Sequence, residues 1–539
     1  MTDSHDILIA GGFVIDGSGS PRVRKDVSID GSRVSGIFDP GQAEGTMVID
    51  AKDRYVCPGF IDIHTHSDIS ILASPMAESR IYQGVTTDIV GNCGSSPAPV
   101  IGDARTIVQE YADEASVNFD WVTVDEYLLR LGNMRTSVNV GTLVGADTLR
   151  LGVIGPEDTP AKEEDLGRMN LLLTQAMLEG AFGVSSGLIY APGCFATTDE
   201  LVSLATTSAA FGGLYASHIR GEARTLVESV KEAIEIGRLS GARVQISHHK
   251  AVGRNNWGLV NETIALVELA RADGIDVAFD VYPYTASCTG LSAILPPWVR
   301  DGGREEILRK LQEPSVRDRI KQEFGDRFTS WENTVAEDGW ENIVVSGFHR
   351  PENSRFENMR MDAIAKELGK DPDDAALDLL VEEGLKLTAV FHEMSEEDVE
   401  TVIRHPLSAI GSDGESTCAY GPSSHLPAHP RSYGAFSRAI RRYALDRGTV
   451  TVEEMVRKMT SWPASRIGLR DRGILERGAV ADVVVFDPAS IKDTATFEKP
   501  HSYSRGIAFV LVSGILTLEN GEHTKARAGQ VLRHPPRIC

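Results

Sequence analysis

The segment 58–68, PGFIDIHTHSD, carries two histidines two residues apart, His64 and His66. A β-strand alternates its faces with a period of two, so both imidazoles would reach the same side. His218 in ASHIRGE, His248 in ISHHK and Asp413 in GSDG each close a different short apolar run. Imidazole and carboxylate groups are ligands for divalent metals, and their arrival from separate strand ends predicts a metal site. His249 follows His248 directly, and neighbouring strand residues face opposite ways, so only one of the two can point inward. Spacing alone leaves that choice open.

A lone thiol belongs with this set. In GVTTDIVGNCGSSPAP, residues 84–99, the apolar run Thr86–Val90 breaks into glycine, serine and proline, which puts Cys93 just past the end of a buried strand. The other five cysteines, Cys57, Cys194, Cys288, Cys418 and Cys539, are scattered without a CxxC pair, so neither a disulfide framework nor a zinc ribbon is indicated. His349, His392, His425 and His429 are expected to be structural or solvated.

Eight candidate strands position these groups: YVCPGFIDIHTH, VTTDIVGNC, SVNVGTLVGA, AFGVSSGL, GGLYASHIR, ARVQISHHK, IDVAFDVYPYT and LSAIGSDG. Helical segments alternate with them, as in ARTLVESVKEAIEIGRLSG, whose apolar residues recur at helical spacing before a terminal glycine. The pattern predicts an α/β chain built as a (β/α)8 TIM-like barrel, whose catalytic groups gather at the C-terminal ends of the strands. The barrel is expected over residues 58–470. Residues 1–57 and 471–539 both read as short strands broken by turns, and are expected to combine as one small β-sandwich domain. Residues 290–351 interrupt the rhythm with a charged, helical segment, read as an insertion or lid at the barrel mouth.

With 539 residues and a formal net charge of −23, the chain is a poor partner for nucleic acid or an anionic membrane, both of which would repel it. No stretch approaches the roughly 20 apolar residues of a membrane span. A soluble, cytoplasmic protein acting on a small molecule is expected; its oligomeric state is not legible. An anionic substrate would have to be held by local cations.

Over almost its whole length the chain resembles the N-acyl-D-amino-acid deacylases (D-aminoacylases) of the amidohydrolase superfamily. The resemblance rests on PGFIDIHTHSD, GVTTDIVGNCG, GLIYAPG, SHIRGE, ISHHK, GSDG and the closing SWPASRIGLRDRGILERGAVADVVVFDP, in that order. It implies zinc-dependent hydrolysis of the amide of an N-acyl-D-amino acid. Much of the superfamily uses a carboxylated lysine on the fourth strand, but AFGVSSGLIY has none and Lys162 precedes it in a charged helix. The resemblance gives that place to Cys93, with His218 and His248 completing one tight zinc site, and a thiolate suits zinc beside two imidazoles. His64 and His66 would flank a second, weaker site.

The same resemblance makes Asp413 the general base and acid, and Lys250 and Tyr190 ligands of the substrate carboxylate. Arg431 in HPRSYG is a further carboxylate ligand on chemical grounds, since a guanidinium can pair bidentately. Two departures stand near the expected pocket: Ser95 where the family usually has an aromatic, and Ala146 in LVGADTLR where it commonly has histidine. An alternative is the same chemistry on another amide, a cyclic amide, a carbamate or a lactone; the missing strand-four lysine counts against a hydantoinase-type cyclic amidase.

Overall fold

The computed structural model describes residues 4–420 and 429–535; His425 and Cys539 lie outside them. Eight parallel strand positions close into a barrel. Phe60–Asp62 pairs with Val85–Val90, which pairs with Asn139–Thr142. That strand runs on into Val144–Gly145, and pairing continues through Gly183–Gly187, Leu214–His218, Arg243–Ile246, Val277–Val281 and Ser408–Ile410. The ring closes where Thr65 bridges Gly414 in parallel, and where the Asp413 amide donates to the His64 carbonyl at 2.8 Å. Val85–Val90, Leu214–His218 and Val277–Val281 are buried at every residue, as strands covered on both faces must be.

The outer helices follow the sequence periodicity. Leu226–Ser240 buries Leu226, Val230, Ala233, Ile236 and Gly237, one stripe of an amphipathic helix, and stops at Gly241 in a left-handed conformation, φ 70°. Gly237 allows close approach to the barrel: a Cβ there would meet Val244 Cγ2 at 2.5 Å.

Both chain ends share one nine-stranded sheet. It contains Ser4–Val14, Val23–Asp30 and Arg33–Phe38 from the start of the chain and Ile507–Val512 and Ile515–Glu519 from its end, joined where Tyr55–Pro58 runs antiparallel to Val483–Phe486. Ile9, Val27, Val56, Val483 and Leu511 are buried within it. No helix among the described residues is long and apolar enough to cross a membrane.

The interrupting segment is a mixed α/β unit, with more strand than its charged sequence suggests. Ser287–Gly290, Thr388–Phe391, Ile343–Ser346 and Met359–Arg360 make a four-stranded sheet, and helices Gly303–Lys310 and Pro314–Phe324 belong to the same segment. Its apolar cluster runs from Leu291 to Phe391, well past residue 351, and is separate from the barrel core. These strands are at most four residues long, too short for a clear period-two signal in the sequence.

Beneath the barrel mouth lies a charged network. Arg80, fully buried, sits 3.3 Å from Asp62 and 3.4 Å from Asp88 and donates to Ser412 Oγ at 2.8 Å. Asp62 Oδ1 accepts from the His64 and Ser412 amides at 3.2 and 2.9 Å. One buried cation thus ties the HTH segment to the SDG turn. Burial pushes the Asp62 carboxyl up to about 6, against the opposing pull of Arg80 beside it. Replacing Arg80 by methionine leaves two buried carboxylates without their cation and should cost about 3–5 kcal/mol of stability; an unchanged denaturant midpoint would contradict the network's role.

Candidate metal centre

Every predicted donor emerges at the C-terminal end of a barrel strand. His218 is the last residue of Leu214–His218; His64 and His248 follow their strands by two residues, and Cys93 and Asp413 by three. Three of these residues have left-handed backbones: Cys93 at φ 49°, His248 at φ 34° and Asp413 at φ 52°. Non-glycine residues rarely occupy this region, and it costs on the order of 1–3 kcal/mol where they do. The turns that aim these side chains are held against their own preference by the packed barrel around them.

The geometry brings Cys93 to the middle. Its Sγ lies 3.3 Å from His64 Nε2 and 3.4 Å from His248 Nε2. Two groups of donor atoms each converge within 4.8 Å: Cys93, His218 and His248, and His64, His66, Cys93 and Asp413. Cys93 belongs to both. Asp413 Oδ1 stands 2.9 Å from His66 Nε2 and 3.4 Å from His64 Nε2. His249 turns away, with its Nε2 2.8 Å from Thr263 Oγ1, so His248 faces the centre.

These residues fit a metal ion. His218 is buried, yet neither of its ring nitrogens has a hydrogen-bond partner, an expensive state for a polar group unless a ligand supplies the missing contact. The donor chemistry of one thiol, imidazoles and one carboxylate is that of a zinc-class ion.

Two carboxylates that sequence reading passed over hold the rings. His64 Nδ1 lies 3.1 Å from Asp280 Oδ1. A carboxylate only accepts, so Nδ1 carries the proton and Nε2 is left toward Cys93. His248 Nδ1 is engaged by Glu222 Oε1 at 3.1 Å and Lys250 Nζ at 2.7 Å. Both acids stood in quoted motifs, AFDVYPYT and SHIRGE; the available signal was an acid at or near a strand end, four residues after His218 in the case of Glu222.

The expected substrate ligands are present but engaged. Lys250 Nζ donates to both Glu222 oxygens at 2.6 and 2.7 Å. Arg431 reaches Asp413 Oδ2 at 2.7 Å and donates to the Cys288 carbonyl at 3.0 Å, with its guanidinium 5.2 Å from the centre of the Tyr282 ring. The Tyr190 ring stacks edge-on to His218 at 5.1 Å, and its hydroxyl accepts from Thr289 Oγ1 at 3.2 Å. Ser95 is exposed at the rim, whereas Ala146 is buried. Of the remaining histidines, His429 donates to or caps the Ala286 carbonyl at 3.1 Å and, with His392, packs on Phe497; neither joins the centre.

Charge compensation sets the ionisation of the site. Burial pushes the Cys93 thiol up, but the His64 and His248 imidazoles outweigh it and bring the thiol well below its ordinary value. Burial likewise raises Asp413, and the Arg431 guanidinium, with His248, holds its carboxyl well below the usual range. Glu222 is also lowered against burial, by Lys250 and then His218 and His248. Three anions therefore sit buried at the barrel mouth, each matched by a neighbouring cation or imidazole.

The sequence matches the Amidohydrolase family over residues 47–517. It is 35% identical over 527 residues to a D-aminoacylase of Alcaligenes xylosoxydans xylosoxydans, covering 98% of this chain and 97% of that protein. Among solved structures it superposes on the N-acyl-D-glutamate deacylase of Bordetella bronchiseptica, complexed with zinc and a phosphonate mimic of the tetrahedral intermediate, with a TM-score of 0.82, 32% identity, and 98% and 100% of the two chains covered. A D-aminoacylase described as having a binuclear metal centre, with one-metal activation and second-metal attenuation, also matches at a TM-score of 0.82 and 32% identity, with 98% and 100% covered. The chain belongs to the amidohydrolase family, within the branch of the N-acyl-D-amino-acid deacylases.

Proposed function

We propose that this protein is a zinc-dependent hydrolase that cleaves the amide of N-acyl-D-amino acids, giving a carboxylic acid and a free D-amino acid. The observation that carries this reading is the pair of donor groups sharing Cys93, with Asp413 in contact, at the catalytic end of the barrel. The matched deacylases support the substrate class, and the zinc in the Bordetella structure supports the metal.

Cys93, His218 and His248 would hold the tight ion, and His64, His66 and Asp413, with Cys93 shared, a weaker second one. Zinc supplies Lewis acidity: it polarises an amide carbonyl and acidifies water enough to attack near neutral pH. Asp413 is ionised, so its carboxylate can take the proton of the attacking water and return it to the nitrogen of the leaving amine. Arg431 fixes Asp413 through Oδ2, leaving Oδ1 toward the histidines. Lys250, Tyr190 and Arg431 are the cationic and hydroxyl groups that would receive the substrate carboxylate, the first and last by exchanging part of their present pairing with Glu222 and Asp413. The local cations answer the problem posed by a net charge of −23. The reading places the enzyme in the cytosol, in keeping with five described cysteines that are all free.

A panel of N-acetyl-D- and N-acetyl-L-amino acids, assayed for free amino acid, should show turnover of D substrates only; turnover confined to L substrates, or none, would overturn the substrate assignment. Asp413→Ala should retain the tight zinc while losing at least about 10²-fold in kcat. Because Cys93 serves both donor groups, Cys93→Ala should lose most of its zinc on dialysis, whereas His66→Ala, outside the tight set, should keep one ion per chain; equal zinc content in the two variants would count against the shared thiol.

A further inference from the structure

The interrupting unit touches the site through a small number of polar contacts, and one set lands on the loop that carries Glu222. The Glu332 carboxyl accepts the amide N–H of Glu222. Two residues after Glu222, Arg224 donates to the carbonyl of Thr329, three residues before Glu332, at 2.8 Å and lies 5.9 Å from the centre of the Phe328 ring. Residues 328–332 of the unit thus sit on residues 222–224 of the barrel loop.

The Glu222 peptide is gripped on both sides, since its carbonyl accepts from the Val252 amide at 2.8 Å. With its backbone fixed, its buried side chain can stand between Lys250 and His248 Nδ1. An acid beside Glu222 is an odd choice for mere packing. A bond from a peptide N–H to a carboxyl oxygen is directional, and it accounts for an acid at this point.

We propose that Glu332 is a positioning residue: by holding the Glu222 amide, the interrupting unit sets the Glu222 carboxylate that orients His248 as a metal ligand and Lys250 as a substrate ligand. The lever rests on the metal assignment above. Partners that orient a ligating histidine typically change metal affinity by about 10- to 100-fold when removed.

The test is zinc affinity by chelator competition, together with kcat and KM, for the full-length Glu332→Ala and Glu332→Gln variants. Glu332→Ala should weaken zinc binding by roughly 10- to 100-fold and raise KM more than it lowers kcat. Glu332→Gln keeps an acceptor oxygen for the Glu222 amide and should stay close to the unaltered protein. The exposed Glu305→Ala in the same unit should change neither reading. If Glu332→Ala does not accumulate folded, Glu332→Asp, which keeps the charge but shortens the reach, should give the same losses. Unaltered zinc affinity in the shortened variants, or equal losses with glutamine and alanine, would overturn the proposal. An unaltered protein without deacylase activity would sink the substrate reading alone, because the zinc competition would still decide what Glu332 does.

Discussion

Cys93 is the hinge of the site. Its sulfur stands within 3.4 Å of two imidazole nitrogens and is common to both sets of donors, so it links the two halves of the centre. The sulfur is brought there from a turn whose backbone is left-handed at Cys93, and such a turn persists only when the surroundings over-determine it. The barrel supplies that constraint. Gly94 follows Cys93 with φ 78°, and a Cβ at that position would lie 2.3 Å from the Asp147 carboxyl, so the chain packs tightly directly behind the thiol.

Around this point the protein spends acids to place bases. Asp280 orients His64, Glu222 with Lys250 engages His248, and Asp62 with Arg80 fixes the backbone of the first histidine pair and of the turn before Asp413. Each buried carboxylate would be costly alone and is tolerable because a cation or peptide N–H answers it. Part of the net charge of −23 is therefore internal wiring rather than a solvated surface, and the electrostatic field a substrate carboxylate meets at the mouth is governed by Lys250 and Arg431 more than by the sum over the chain.

Much of this was legible in the sequence because barrel geometry turns linear order into place. Eight apolar runs, five of them closing near a His, Cys or Asp donor, locate the rim, and the His64–His66 spacing fixes a common side. Other features depend on side chains meeting across long sequence separations, which no local pattern encodes: Asp280 with His64 is 216 residues apart. The ion pairs of Lys250 and Arg431 with Glu222 and Asp413 were hidden for the same reason. Spacing could not choose between His248 and His249, a choice that only the resemblance made in advance, since the left-handed φ at His248 ends the simple alternation of a strand. The interrupting unit misled by composition: its charged helices advertise solvent, while its four short strands and apolar cluster give it a core of its own.

The most direct test of the shared thiol is X-ray absorption at the zinc edge on protein loaded with one ion per chain. A sulfur neighbour at about 2.3 Å beside nitrogen or oxygen at about 2.0–2.1 Å is predicted. A first shell of nitrogen and oxygen alone would contradict a Cys93-centred site and leave the close approach of its sulfur to His64 and His248 without a role in metal binding.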